Sequence, residues 1–240
     1  MEGRSALRPS IYEIVRKLSM DLAVRAFPDF LSATKDTIIY CVVSFVLALI
    51  LGLILALMSN SRFAWLKGPA RIYIEIFRST PIITQIFILY YGVGALLVGP
   101  NLAYLDNAWA AGIACLSLNY AAYEAEVFRA GFLSVERGQT EAALSLGLTS
   151  RETFFRIVLP QAIPLMIPPF VNDFIYMLKD SAIVSVISGS EITSTLDYWV
   201  SRNGSNTLPL YALAIGLYLI LSLPTSYFAR RYERRLRAAL

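Results

Sequence analysis

The sequence predicts an all-α integral membrane protein with five transmembrane helices and one structured polar loop of two short helices. Three observations carry that prediction. Of 240 residues, 57% are hydrophobic and only 16% charged, with a mean hydropathy of +0.58, whereas a soluble domain carries about a quarter charged residues. Uncharged windows recur at lengths that suit spans of about 20 residues, the number that crosses about 30 Å of hydrocarbon at 1.5 Å per residue. The connections between them are too short for a large extramembrane domain. Composition also excludes function classes. Histidine is absent, and Cys41 and Cys115 lie alone in apolar runs, so histidine acid/base chemistry, a Cys/His zinc site and a disulfide framework lack their residues. The net charge of +4, from 21 basic and 17 acidic residues, bears on topology and gives no reason to expect nucleic acid as a partner.

Residues 1–30 read as an N-terminal tail. Ile11, Ile14, Val15, Leu18 and Leu22 recur at helical spacing opposite Glu13, Arg16, Lys17 and Asp21, which predicts an amphipathic helix lying in the membrane interface. These charges leave no uncharged core ahead of the first span, which argues against a cleavable signal peptide. Residues 31–235 form a single transmembrane domain. Its first, second and fifth spans, at about 34–59, 70–98 and 207–229, rest on the uncharged windows 37–61, 79–105 and 203–229, each long enough to cross. The windows 107–123 and 157–172 are marginal. They predict a third span at about 108–130, with Glu124 and Glu126 near one boundary, and a fourth at about 162–180, with Asp173 facing the interior. Pro160, Pro164, Pro168 and Pro169 fall within ten residues, which predicts a kinked fourth span packed toward the interior, where neighbours or water satisfy the freed carbonyls. Residues 181–192 are apolar but too short to span and read as a re-entrant or packed segment. Residues 230–240 form a basic tail.

Orientation follows from the flanking basic residues. Arg62, Lys67, Arg129, Arg137, Arg151, Arg156 and the five arginines of the C-terminal tail fall on one side, while the opposite loops hold only Arg202. The C-terminus and the 134–160 loop are therefore expected in the cytoplasm, and the N-terminus outside. The basic residues of the N-terminal tail, Arg4, Arg8, Arg16, Lys17, Arg25 and Lys35, oppose this assignment without outnumbering the others.

Residues 138–160 read GQTEAALSLGLTSRETFFRIVLP. Residues 140–146 are good helix formers, Gly147 permits a turn, and Thr149 with Glu152 forms a T-x-x-E capping box ahead of Phe154, Phe155, Ile157 and Val158. Pro160 is expected to end that second helix. Glu141-Ala142-Ala143, three residues, Gly147, nine residues, Ile157, one residue, then Leu159-Pro160 resembles the EAA signature of permease subunits of binding-protein-dependent ABC importers. The flanks resemble the polar amino-acid branch, of histidine, glutamine and opine type, from about Phe30 onward. Phe77-Arg78-Ser79-Thr80-Pro81 with Gln85 is similar to FRGTP...Q, and Tyr123 to Gly131 is similar to Y-x-AEI-x-RGG. Residues 158–162 and 178–181 complete the series. Ser79 and Ala130 stand where the branch has glycines, and an N-terminal extension of about 25 residues has no counterpart.

The resemblance implies an EAA loop that docks on a cytoplasmic ABC ATPase dimer through Glu141, Ala142, Ala143, Gly147, Ile157, Leu159 and Pro160. It also implies a second permease subunit, identical or homologous, a periplasmic or extracellular binding protein that delivers substrate, and a bacterial inner-membrane location among membrane lipid. The sequence agrees in containing no G-x-x-x-x-G-K-[ST] phosphate loop, so ATP and Mg are expected on the partner ATPase and no cofactor in this chain.

Charges and amides inside spans are the candidate substrate-pathway residues: Asp173, Asn172, Asn119, Gln85 and Arg78. Asp173 has no basic residue within one helical turn. Glu75 with Arg78 and Glu126 with Arg129 are three apart and read as structural pairs. Asn119 and Asn172 are equally compatible with interhelical hydrogen bonds. Trp65, Trp109 and Trp199 read as interface anchors. The competing function is an ion-coupled secondary transporter or channel with Asp173 and Glu191 as ion or proton sites. A membrane enzyme lacks any nucleophile/base constellation.

Overall fold

The structure, a computed structural model, describes residues 11–93, 107–204 and 207–239, and the side chains of 21–92, 107–204 and 207–236. Every regular element among the described residues is a helix. The first, α1 (Ile11–Ser59), is a single helix of 49 residues that contains Pro28 without breaking. The helix expected as a separate tail element within residues 1–30 is therefore continuous, from Ile11 on, with the helix of the first span. Tertiary packing extends it: Ala26, Phe30 and Ala33 are buried against Ile192, Leu210 and Ala214, and the Trp199 indole N–H donates to Asp29 at 3.1 Å.

Farther along α1, Tyr40, Ser44, Ala48 and Ala56 are fully buried, and Gly52 completes this row of every fourth residue. The row packs along α4 (Ala108–Leu133), which buries Ala111, Gly112, Ala121, Ala122 and Ala125. In lipid no hydrophobic force drives helices together, so small residues that let backbones approach are what make such a pair close. The two helices run parallel: Gly112 lies against Tyr40, and Gly52 against Ala121, Glu124 and Ala125.

Between them, α2 (Ala64–Ser79) meets α3 (Ile82–Phe87, continued by a π turn, Ile88–Val93) at an angle of 110°. The unbroken second span expected over 70–98 is thus two helices, and its remainder beyond residue 93 lies outside the described residues. Pro81 supplies the reason. It has no N–H to donate and drives Thr80 into extended backbone at φ −118°, ψ 144°. The break sits at the level of mid-α4, because the Phe77 carbonyl accepts from Asn119 and Ile82 touches Cys115.

The polar loop folds as α5 (Arg137–Ser145) and α6 (Ser150–Thr153). A π turn, Phe154–Val158, leads straight into α7 (Leu159–Asp180). Pro160 does not end the helix, and the fourth span runs as one helix through its prolines. Pro160, Pro164 and Pro168 are four residues apart and share one face, so the missing bonds fall along one line while the other rows hold the helix together. The π turn also shifts the hydrogen-bond register just ahead of Pro160. Helix α7 runs antiparallel to α4, with Met166 at Gly131 and Asp180 at Tyr120. A 3-10 turn (Ser181–Ile187) buries Ser181, Val184 and Ile187 as the packed segment expected there, and α8 (Ile192–Asn203) and α9 (Leu208–Ala239) follow.

Among the described residues three helical stretches, 21–59, 150–187 and 208–236, are long and apolar enough to cross a membrane, or four if the bent α2–α3 pair is one span, against the five expected. Helix α4 has the length, about 39 Å at 1.5 Å per residue, but carries Asn119, Glu124, Glu126 and Arg129. It tolerates them because α1 and α7 cover it. One end of the bundle gathers the ends of α1, α4 and α9 with the α5–α6 loop, and the start of α8 lies at the other.

Candidate functional site

Two places stand out, the loop at one end and a pair of cavities at mid-bundle. In the loop, Gly147 takes φ +86°. Its N–H donates to the Leu144 carbonyl at 3.0 Å and the Leu148 N–H to Ala143 at 3.2 Å, a Schellman ending that only a left-handed residue completes. The capping box forms as the sequence predicts: the Thr149 N–H donates to Glu152 Oε2 at 3.1 Å, and the Glu152 N–H to Thr149 Oγ1 at 3.3 Å. The Thr149 amide, and then its hydroxyl, hold the Glu152 carboxyl below the usual carboxylate range. Phe154 packs edge-on against Phe132 with centroids 5.2 Å apart, tying the loop to the end of α4. Glu141, Ala142, Gly147 and Pro160 are exposed, Ile157 and Leu159 half-buried, and Ala143 buried. Leu144, Leu146 and Phe155 stand 44%, 82% and 55% exposed, an apolar cluster on an otherwise polar loop.

At mid-bundle, the α2–α3 break frees carbonyls that two predicted pathway residues take up. The Gln85 amide donates to the Phe77 carbonyl at 3.0 Å and to the Thr80 carbonyl at 3.1 Å. Asn119 donates to Gln85 Oε1 at 2.9 Å. Gln85 and Asn119 therefore brace the bend. Asn119 also reaches a cavity wall, and Gln85 lines a separate apolar cavity of ≈ 300 Å³ with Phe77, Thr80 and Leu118. Asn172 is exposed and absent from the cavity linings described here.

Arg78 and Asp173 do come together. Both line a cavity of ≈ 470 Å³ between α2, α4 and α7 that also meets Tyr123, Glu126 and Met166. A second cavity of ≈ 320 Å³ lies beside the break, lined by Thr80, Pro81, Tyr120, Tyr123, Tyr176 and Asp180 along with Asp173. Asp173 and Tyr123 belong to both. The Arg78 guanidinium lies 5.6 Å from the centre of the Tyr123 ring and forms no ion pair within 4 Å with either Asp173 or Glu75, so the expected Glu75–Arg78 pair is not made. Geometry explains the choice: Arg78 is in the last turn of α2 and turns toward α4 and α7. Glu126 and Arg129 do pair, at 2.6 Å.

Three further charges and rings were placed differently by the sequence. Glu124, expected near a boundary, is completely buried with neither carboxylate oxygen hydrogen-bonded, because its face of α4 is the one pressed on Gly52 of α1. Glu191 is the N-cap of α8, accepting from Thr193 N–H at 2.8 Å and from the Tyr218 hydroxyl at 3.0 Å. A buried carboxylate so fully engaged has a structural task, which removes one of the two acids an ion-coupled carrier would use. Trp109, half-buried in the first turn of α4, stacks on Tyr40 with ring centroids 4.2 Å apart.

Sequence reasoning missed Tyr120, Tyr123, Tyr176 and Asp180 as cavity residues. A usable signal was present: Asp173, Tyr176 and Asp180 are spaced i, i+3, i+7 on one face of α7, and Asn119, Tyr123 and Glu126 i, i+4, i+7 on one face of α4. The Tyr120 hydroxyl donates to Asp180 at 2.7 Å and joins the two faces.

A helical bundle with a helix broken at mid-bundle, a charged cavity beside it and a short helical loop at one end has the architecture of a membrane transport subunit. The chain belongs to the family described as binding-protein-dependent transport system inner membrane component, which it matches over residues 48–238. It is therefore an ABC-importer permease, a family whose members are not themselves enzymes. Octopine transport system permease protein OccM of Rhizobium radiobacter is 39% identical over 204 residues, 82% of each chain. L-cystine transport system permease protein TcyB of Bacillus subtilis is 34% identical over 217 residues, 90% of each. A crystal structure of an amino acid ABC transporter with histidines superposes with a TM-score of 0.81 at 34% identity, covering 91% of this chain and 97% of the other.

Proposed function

We propose that this permease carries amino acids or amino-acid derivatives across the membrane by alternating access, and that a separate ATPase drives it through the 134–160 loop. The observation that carries the substrate reading is the pair of joined cavities with Arg78 on one wall and Asp173 and Asp180 on another. Opposed charges on either side of a cavity suit a zwitterion, with its carboxylate at Arg78 and its ammonium at Asp173, and a second cationic group suits Asp180. Relatives are named for octopine, L-cystine and arginine transport, which supports that class. The position at a mid-membrane break is where transporters place ligands.

The exposed Leu144, Leu146 and Phe155 on the loop support docking on an ATPase, with Glu141 and Gly147 setting the loop's shape. ATP and Mg belong to that partner. A second permease subunit, identical or homologous, completes the pathway, and a binding protein delivers substrate on the far side. The C-terminus lies at the loop end, which supports a cytoplasmic C-terminus and an N-terminus outside. The test is reconstitution into vesicles with the co-purified ATPase and binding protein. ATP-dependent uptake of a labelled basic amino acid or opine supports the proposal; uptake driven by an ion gradient without ATP overturns it.

A further inference from the structure

Helix α9 does not stop where its apolar stretch stops. Counting 20 residues from Leu208 for about 30 Å of hydrocarbon places the membrane boundary near Phe228, and the helix continues to Ala239. Tyr227 and Phe228 are 50% and 68% exposed at that level, the depth at which aromatic side chains favour the interface. Immediately beyond, Arg230, Arg231, Arg234 and Arg235 are all exposed. Their spacing is the decisive point. Residues 230 and 234, and 231 and 235, are each one turn apart, so four guanidiniums form one stripe in line with Tyr227, whose hydroxyl accepts from Arg231 at 3.5 Å. On the remaining arc, Tyr232, Glu233 and Leu236 are half-buried.

We infer that this stripe is a binding surface for the phosphate headgroups of anionic lipid. From Arg230 to Arg235 the helix rises about 7.5 Å, which matches the headgroup layer of roughly 5–7 Å on each side of the hydrocarbon. Four clustered arginines next to a span hold anionic headgroups by charge, and the forked guanidinium adds paired hydrogen bonds to phosphate oxygens. The inference stands apart from the substrate and from the ATPase.

The test uses the full chain, purified with whatever subunits accompany it and offered a mixture of phosphatidylglycerol and phosphatidylcholine. Lipid retained per chain is read by native mass spectrometry. The quadruple Arg→Gln variant at 230, 231, 234 and 235 is expected to retain at least tenfold less phosphatidylglycerol than the natural chain. The quadruple Arg→Lys variant should retain most of it, and Arg202→Gln, at the other end of the bundle, should be unchanged. Should the quadruple Gln variant insert poorly, the pair Arg230→Gln/Arg234→Gln is expected to show an intermediate loss. Unchanged retention in the Gln variants, or an equal loss on Arg202→Gln, overturns the inference. So does equal competition by millimolar inorganic phosphate, which would mark an ion site, or loss of a bound protein subunit with lipid retained, which would mark a protein interface.

Discussion

Asp173 and Gly52 show how much one position can carry. Asp173 is the carboxylate shared by both cavities, and Asp173→Asn keeps its shape while removing its charge. A charge-assisted contact is worth about 1.5–3 kcal/mol, so apparent affinity for a cationic substrate is expected to fall about tenfold or more at equal expression. Uptake by the assembled transporter with unchanged affinity and rate would remove Asp173 from the pathway. Gly52 acts through space alone. A Cβ there would meet the Glu124 Cβ at 2.7 Å and the Ala121 carbonyl at 3.1 Å, and the α1–α4 backbones cannot both stay in place. Overpacking of this kind costs about 1–3 kcal/mol, so Gly52→Ala is expected to lower the melting temperature in detergent. A melting temperature equal to that of the natural chain would show that the two helices are less tightly seated than their small residues imply.

At the scale of elements, the α5–α6 loop separates shape from contact. Gly147 has open space around its Cβ position, so Gly147→Asp meets no clash and suffers chiefly the left-handed backbone, a cost of about 1–2 kcal/mol. That is too little to unfold the bundle. The expected outcome is a permease that inserts normally while substrate-stimulated ATP hydrolysis by its partner is lost; normal transport by this variant would dissociate the loop from coupling. The loop was the most legible element in the sequence, because capping boxes and glycine endings are local hydrogen-bond patterns over four to six residues. The bend between α2 and α3 was less legible. The fourth span holds four prolines, yet the break falls at the single Pro81 of the second. In three dimensions the spacing of Pro160, Pro164 and Pro168 confines their cost to one face, while Pro81 follows Ser79-Thr80 at a point where Gln85 and Asn119 wait to receive the freed carbonyls.

For the whole molecule, the order of ends decides which surfaces share a side of the membrane. Residues Ser150 and Ser201 are both exposed and lie toward opposite ends of the bundle, and the two natural cysteines are buried and silent. A membrane-impermeant maleimide applied to intact cells is expected to label a cysteine at Ser201 and to spare one at Ser150. The reverse pattern would invert the orientation, and with it the sides assigned to the ATPase and the binding protein.

The sequence by itself determined the helical membrane class, the family and the geometry of the α5–α6 loop, since each depends on composition or on residues within a turn or two of one another. Only the tertiary structure decided that α1 is continuous with the expected tail, that α4 is sheltered enough to hold a buried Glu124, and that Arg78 lines a cavity with Asp173 while forming no ion pair with Glu75. Those outcomes depend on which helix faces cover one another. Two residues almost a hundred positions apart share a cavity only because α2 ends at mid-bundle against α4 and α7, and no local pattern encodes that meeting.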